Sequence, residues 1–491
     1  MFTIHFSADQ PLSTQIYLAV IEQIRTGGLS YQDRLPSQRA LASHLGVSVN
    51  TVKLAYTQLR DEGFIVARER SGFYVDQLNL DRLPPQPGTA EALPPQPGTA
   101  EALPPAWKLT SPAEPSPDPW RFSFSPTGID PESWERKLWV RLAKEAMEDT
   151  LLDLAADQTA KVGIWDLRVE IAKYLADHRG VRVHPAQIIV TSSFCESLMI
   201  LFSLLDRPIF ALEDPGYLRN DAIFSYNRQE FIPIPLDTYG FSVASLEKTP
   251  ANVAIVTPTH QFPTGLIMGL RRRQRLLAWA ECAPDRYILE DDFDSDFKYS
   301  GSPIPALKSL DRHHKVILSG SFSQSLGPFL GVSYLVLPDP LYTRFMDLAL
   351  PKGRVSNLAQ HLLQRFMHSG AFDRHLNRMN KIYRSKRDLF LHHLTALAPD
   401  LQISGASAGL YFLASVPAPY LTGPAFADRA KAAKIYLQPL DAFRRQPLED
   451  GTYVLGFGSL PLDRIPAAAA AVVDLIHLHP RTERYNIEEH S

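Results

Sequence analysis

Two stretches of this chain end an apolar run in residues that can do chemistry. Ile288-Leu289 opens into Glu290-Asp291-Asp292-Phe293-Asp294-Ser295-Asp296, and Val316-Ile317-Leu318 opens into Ser319-Gly320-Ser321-Phe322-Ser323-Gln324-Ser325. Short apolar runs of this kind form fully buried strands. The polar and small residues behind them fall at the carboxyl ends of parallel strands, where ligands sit. Thr257-Pro258-Thr259-His260-Gln261-Phe262-Pro263-Thr264-Gly265 follows another apolar run and has the same character. Thr191-Ser192-Ser193-Phe194 adds N–H groups at a helix start, a place for an anion. Gln324 can do no covalent chemistry, because an amide nitrogen is not nucleophilic.

The scaffold for these stretches runs from Trp120 to about His479, where short apolar strands alternate with helices as an α/β fold requires. Ile188-Ile189-Val190 precedes a helix over residues 196–205, and Ile209-Phe210-Ala211-Leu212 precedes Glu213-Asp214-Pro215-Gly216-Tyr217. Strands follow at 253–256, 288–289, 316–318 and 332–337. Amphipathic helices run beyond Pro351 through Leu394. A mixed region with Leu410-Tyr411-Phe412-Leu413 and Val454-Leu455-Gly456-Phe457 ends the chain.

A smaller unit comes first. Ile16, Ala19, Val20 and Ile24 share one face of a helix over residues 12–27. Ser37 is placed to cap a helix through Leu45 that Gly46 stops, and Ser48 to cap another carrying Val52, Ala55, Tyr56 and Leu59. Two short helices joined by a Gly-containing turn make a helix-turn-helix, and residues 64–75 read as a β-hairpin wing. The second helix would lie in the major groove, with Ser48, Val49, Asn50, Thr51 and Lys53 near bases and phosphates. Ser37, Gln38 and Arg39 start the preceding helix, where N–H groups and Arg39 can hold phosphate. Arg68 and Arg70 on the wing would meet the DNA backbone. Residues 1–80 hold seven Lys/Arg and seven Asp/Glu. DNA contact must therefore be local, and a small helical interaction module is the competing reading.

Between the two units, Leu83-Pro84-Pro85-Gln86-Pro87-Gly88-Thr89-Ala90-Glu91-Ala92 recurs identically over residues 93–102, and the Pro-rich stretch continues to Pro119. Proline removes donors and favours polyproline II, so this is a semi-rigid spacer without a core. The expected domains are residues 1–76, a linker 77–119, and 120–480, the last with a large part over about 120–350 and a small part over about 351–480. A length of 491 residues fits two or three domains, and 45% hydrophobic with 21% charged residues is ordinary for a soluble protein. The net charge of −3 excludes a globally basic nucleic-acid binder. Two cysteines, Cys195 and Cys282, imply no disulfide framework and a reducing cytoplasm. Neither a leader sequence nor an apolar run of bilayer length is expected, hence no membrane.

Leu-Pro-Ser, Gly-Val-Ser, Asn-Thr-Val, Glu-Gly-Phe and Ser-Gly-Phe-Tyr-Val in about the first 75 residues together resemble the GntR winged helix-turn-helix. Glu213-Asp214-Pro215-Gly216-Tyr217, His260-Gln261-Phe262-Pro263-Thr264-Gly265 and Phe372-Asp373-Arg374-His375-Leu376 resemble a fold-type I aminotransferase. Head, linker and such a domain in this order resemble the MocR subfamily of GntR-type transcription regulators. The fold class implied is an all-α, winged helix-turn-helix domain followed by an α/β domain of the fold-type I pyridoxal-phosphate aminotransferase type. That second domain would have a large, mostly parallel sheet and a smaller α+β subdomain. The function implied is a sequence-specific regulator that binds a double-stranded DNA operator as a cytoplasmic homodimer and answers an unidentified small-molecule effector.

The resemblance also implies a pyridoxal phosphate site, and residue by residue that site is eroded. Asp291 matches the carboxylate that holds the pyridinium nitrogen, but Phe293 stands for the phenol two residues on. Gln324 stands where relatives form the Schiff base with lysine. Ser321 and Ser323 are kept from the phosphate cup, whereas Gly331 replaces an arginine and Ser193-Phe194-Cys195 replaces glycine-alanine-glutamine. Val49 likewise stands where an arginine usually follows the Gly-Val-Ser turn. Tyr217 and Arg219 match positions that stack the cofactor ring and hold an effector carboxylate, though the plainer reading of Arg219 is a surface charge. With Ser192, Ser193 and His260 these residues form the expected pocket. No catalytic residue, no metal and no covalent cofactor are expected. Noncovalent pyridoxal phosphate, and an active aminotransferase, are the alternatives.

Overall fold

The computed structural model describes residues 4, 6–7, 10–68, 71–76, 120–132, 134–155, 162–299, 305–348, 355–417 and 423–476. Arg70 and the repeated linker lie outside the described residues. The chain divides into two compact units, residues 1–111 and 112–491.

The first unit packs α1 (Leu12–Arg25), α2 (Gln38–Leu45) and α3 (Val49–Asp61) with an antiparallel hairpin of β1 (Ile65–Arg68) and β2 (Gly72–Val75). Its core is the apolar stripe of each helix: Ile16, Val20 and Ile24, then Leu41, then Val52, Tyr56 and Leu59, closed by Ile65 and Val75 from the wing. Ser37 Oγ accepts from the Ala40 N–H at 3.2 Å, and Ser48 Oγ from the Thr51 N–H at 3.1 Å. Each such cap contributes about 1 kcal/mol and fixes where a helix begins. Tyr56 donates its hydroxyl to the Pro36 carbonyl at 3.0 Å, tying α3 to the entry of α2.

The second unit opens with β3 (Phe122–Ser123), then α4 (Arg136–Ala155) and α5 (Trp165–Arg179). Among the described residues its large sheet has eight strands: β4 (Ile188–Thr191), β5 (Ile209–Asp214), β6 (Glu230–Asp237), β7 (Gly240–Phe241), β8 (Val253–Val256), β9 (Tyr287–Asp292), β10 (Val316–Ser321) and β11 (Ser333–Val336). Their spatial order is β4-β11-β10-β9-β8-β5-β6-β7. The central strands β10, β9, β8, β5 and β6 are parallel. β11 runs antiparallel to both of its neighbours. Residues 322–332 are too few for the crossover of about a dozen or more residues that a parallel partner needs.

Side chains alternate between the two faces of the sheet, so each adjacent pair feeds two cores. Leu289 and Ile317 face Leu198, Leu201 and Phe224 of the helices α6 (Phe194–Leu204) and α7 (Arg219–Tyr226). Ile288 and Val316 face Leu276 and Trp279 of the helix Leu270–Glu281. The smaller α+β part is a four-stranded antiparallel sheet (Gln402–Ser404, Tyr411–Ser415, Thr452–Gly456, Gln438–Pro439) against the helices Ala371–Leu397 and Ile465–Ile476. The turn of residues 261–265 and the loop at Gly405 touch backbone to backbone. A Cβ on Gly265 would lie 2.6 Å from the Gly405 Cα, so only glycine permits the approach. Among the described residues, no helix is long and apolar enough to cross a membrane.

Candidate functional site

The carboxyl ends of the parallel strands converge on a cavity of about 240 Å³, small beside ligand pockets of roughly 300–1,000 Å³. β9 delivers Asp291 and Phe293, and β10 delivers Ser321, Ser323 and Gln324. The start of α6 supplies Ser193 and Phe194. Glu213 and Tyr217 follow from β5, Thr257 and Phe262 from β8, and Arg445 comes from the small part. Of the expected pocket residues, the structure thus brings together Ser193, Tyr217, Asp291, Phe293, Ser321, Ser323 and Gln324.

Three expected members are elsewhere. Ser192 is turned into its own helix, where its N–H and hydroxyl both donate to Glu196 Oε2, at 2.7 and 2.6 Å. His260 is buried, with Nδ1 2.6 Å from Asp294 Oδ2, and does not line the cavity. Arg219 sits exposed in the first turn of α7, which leaves it the surface charge of the plainer reading. Arg445 was not foreseen: its Nε and Nη2 donate to Asp221 at 2.9 and 2.6 Å, a partner more than two hundred residues away that no local pattern announces. Arg179 was missed for the same reason. It ends α5 and donates to both oxygens of Asp292 at 2.7 and 3.2 Å and to Thr259 Oγ1 at 2.9 Å.

The electrostatics of the cavity are acidic. Burial, then the neighbouring carboxylates Asp292, Glu213, Asp294 and Glu290, hold the Asp291 pKa well above the usual carboxylate range. Among the described residues its carboxyl has no hydrogen-bonded or ion-paired partner. Glu213 accepts from Thr257 Oγ1 at 2.6 Å and Gln261 Nε2 at 3.2 Å, yet burial still pushes it up to about 7. Burial pulls the His260 imidazole down, but the Asp294 carboxylate outweighs this and leaves its pKa raised.

The raised carboxyls fix a sign for stability. Folded Glu213 holds its proton to about pH 7, whereas an unfolded glutamate lets go near pH 4.3. Stability is therefore present below the unfolded value and lost as pH rises through the folded one. From this group alone the second unit should lose roughly 2–3 kcal/mol between about pH 5 and pH 8. Urea unfolding at the two pH values measures it, and Glu213→Gln should flatten the slope. An unchanged slope would show that Glu213 does not carry the effect.

Pyridoxal phosphate, the cofactor that the resemblance implies, meets a poor fit here. None of the described residues lining the cavity is a lysine. Lys308 donates to the Val316 carbonyl at 2.6 Å and Lys315 to the Ala283 carbonyl at 2.7 Å, both at the opposite end of β10. Three donors of a phosphate cup are already engaged: Ser192 with Glu196, the Ser323 N–H with Ser321 Oγ at 3.2 Å, and the Ser321 hydroxyl with Ser323 Oγ at 3.0 Å. Arg445 is the single Lys, Arg or His among the described lining residues, and it is committed to Asp221. The Gln324 Oε1 is buried without a hydrogen-bond partner.

In the first unit Ser37, Arg39, Ser48, Asn50 and Lys53 are exposed, and Gln38 and Thr51 are half-buried. Ser48 Oγ and Thr51 Oγ1 are 2.8 Å apart, so these two hydroxyls serve the helix start first. Exposed Arg68 lies over the Tyr74 ring at 4.5 Å, which steadies its guanidinium on the wing.

Comparison with known proteins gives both units a family. Residues 12–75 match the family described as bacterial regulatory proteins, gntR family, and residues 139–448 match aminotransferase class I and II. The chain is 32% identical to the uncharacterized HTH-type transcriptional regulator YdeL of Bacillus subtilis, over 92% of this chain and 94% of that one. It is 32% identical to the HTH-type pyridoxine biosynthesis transcriptional regulator PdxR of Corynebacterium glutamicum, over 96% and 99%. To the probable rhizopine catabolism regulatory protein MocR of Rhizobium meliloti it is 30% identical, over 84% and 83%. The fold of the second unit matches the multiple substrate aminotransferase of Thermococcus profundus, with TM-score 0.62 and 24% identity over 72% of this chain and 91% of that one. With a GntR head on an aminotransferase fold and full-length relatives of the same build, the chain belongs to the MocR subfamily of GntR-type, DNA-binding transcription regulators.

Proposed function

We propose that the first unit reads a duplex operator while the second serves dimerisation and effector sensing, without forming a Schiff base. One observation carries the second half: the cavity lies where an aminotransferase does its chemistry, yet no described lining residue offers an amine and Gln324 stands in its wall. An amide can neither attack an aldehyde nor shuttle a proton. For the head, the capped start of α3 would place Ser48, Asn50, Thr51 and Lys53 in the major groove. Ser37, Gln38 and Arg39 would contact phosphate from α2, and Arg68 and Arg70 from the wing. A homodimer is supported by α4, where Val140, Met147 and Leu151 are exposed at spacings of one helical face, with Leu152 beside them. A face this apolar calls for a cover, and a second copy brings two heads to two half-sites.

DNA selection from a genomic pool with the full-length protein tests this function, with light scattering of the free protein beside it. An enriched sequence and a dimeric particle are expected. Lys53→Ala should weaken binding to all sequences alike and reduce the salt slope by about one, as loss of a single phosphate contact does. No enrichment at low salt would sink the DNA reading, and a strictly monomeric particle at micromolar concentration would sink the dimer.

A further inference from the structure

We propose that the cavity takes a small organic cation: a molecule with a protonated, N–H-donating nitrogen, an apolar or aromatic body and no phosphate. This deepens the sensing role assigned above to the same cavity and rests on it. Among the described lining residues, three acceptors lack a donor. The half-buried Asp291 carboxyl has no hydrogen-bonded or ion-paired partner among the described residues, and Gln324 Oε1 and Asn220 Oδ1 are buried and unpartnered. Leaving a buried acceptor unpaired is costly, so a ligand that satisfies Gln324 Oε1 and Asn220 Oδ1 gains the difference, and Asp291 borders the same space. The other two charged groups of the described lining do not compete. Glu213 is already served by Thr257 and Gln261, and Arg445 by Asp221. An anion meets the reverse situation: carboxyls in the walls, a committed arginine, and Ser192, the Ser321 hydroxyl and the Ser323 N–H already donating elsewhere. Phe194, Phe262, Phe293, Leu212 and Ile255 give the lining an aromatic and apolar part. Such walls favour a hydrophobic body and stabilise a nearby cation through ring faces.

Calorimetric titration of the full-length protein at neutral pH tests this with five probes: benzylamine, imidazole, benzoate, pyridoxamine and pyridoxamine 5′-phosphate. Benzylamine or imidazole should bind, the two distinguishing an ammonium from a protonated heterocycle, and benzoate should not. Pyridoxamine should bind at least about tenfold more tightly than its phosphate ester, the size of one lost charge-assisted contact. Asp291→Asn should weaken binding of the cation at least about tenfold for the same reason. Should that variant fail to fold, Gln324→Met is read instead, with a smaller loss expected. Tighter binding of benzoate or of the phosphate ester, indifference to these substitutions, or no binding of any probe would overturn the proposal. Affinity for the selected DNA, measured with each probe, separates the two ideas. An anion that binds and shifts DNA affinity keeps sensing and overturns the cation. A cation that binds without shifting DNA affinity keeps the ligand class and removes sensing.

Discussion

Arg179→Met should destabilise the second unit by about 3–5 kcal/mol, the loss typical of breaking a buried ion pair from one side. Arg179 and Asp292 have side chains only 2% exposed, and the guanidinium holds both carboxylate oxygens. Burial opposes the Arg179 charge, yet Asp292 and neighbouring groups raise its pKa above the usual value, so the cation is firmly kept. Methionine fills much of the same volume but leaves Asp292 as a buried charge beside Glu290, Asp291 and Asp294. The damage would also reach the cavity, because Asp292 is the residue after Asp291 and its anchoring fixes the end of β9. Pairing the change with Asp292→Leu removes the orphaned charge and should recover most of the stability. Urea unfolding followed by tryptophan fluorescence measures both. A loss below about 1 kcal/mol for the single variant would place the pair among ordinary surface contacts.

These long-range partners mark the limit of what the chain discloses when read alone. Capped helices were legible, because Ser37 and Ser48 act on N–H groups three residues away. So was the buried strand at 253–256, whose four residues are all apolar and all buried. β6 was not legible, since Pro233 and Pro235 argue against a strand. It forms because only the two-residue β7 covers its outer edge, at Leu236 and Asp237, where missing donors matter little. Within the site, residues at strand ends were foreseen because a strand end is a local fact. Depth was not. Ser192, Arg219 and His260 neighbour true lining residues in sequence, but helix hydrogen bonding, exposure and the Asp294 pairing take them away. Arg445 and Arg179 reach the site from distant segments, and only the folded chain joins them to it.

Borohydride added to the protein with pyridoxal phosphate should leave no stoichiometric pyridoxyl-lysine on any peptide. Among the described residues the cavity lining contains no lysine, and Lys308 and Lys315 are hydrogen-bonded at the far end of β10. Gln324→Lys alone should restore at most a weak signal, because the amine would arrive in a cavity whose one cation among the described lining residues, Arg445, is committed to Asp221. Adding Phe293→Tyr returns a ring contact. Adding Gly331→Arg is less promising than the sequence suggests. Gly331 adopts φ +56 and has open space around its Cβ position, so an arginine would fit sterically but in a left-handed conformation costing about 1–2 kcal/mol. Gly331 also lies outside the cavity lining, and Phe194 stands inside it. The triple variant should therefore improve on the single one by less than the more than tenfold that a full charge-assisted phosphate contact supplies, about 1.5–3 kcal/mol. Peptide mass analysis after reduction is decisive: one stoichiometric pyridoxyl-lysine in the unmutated protein would place a Schiff-base lysine where none is assigned and sink the noncovalent reading of the domain.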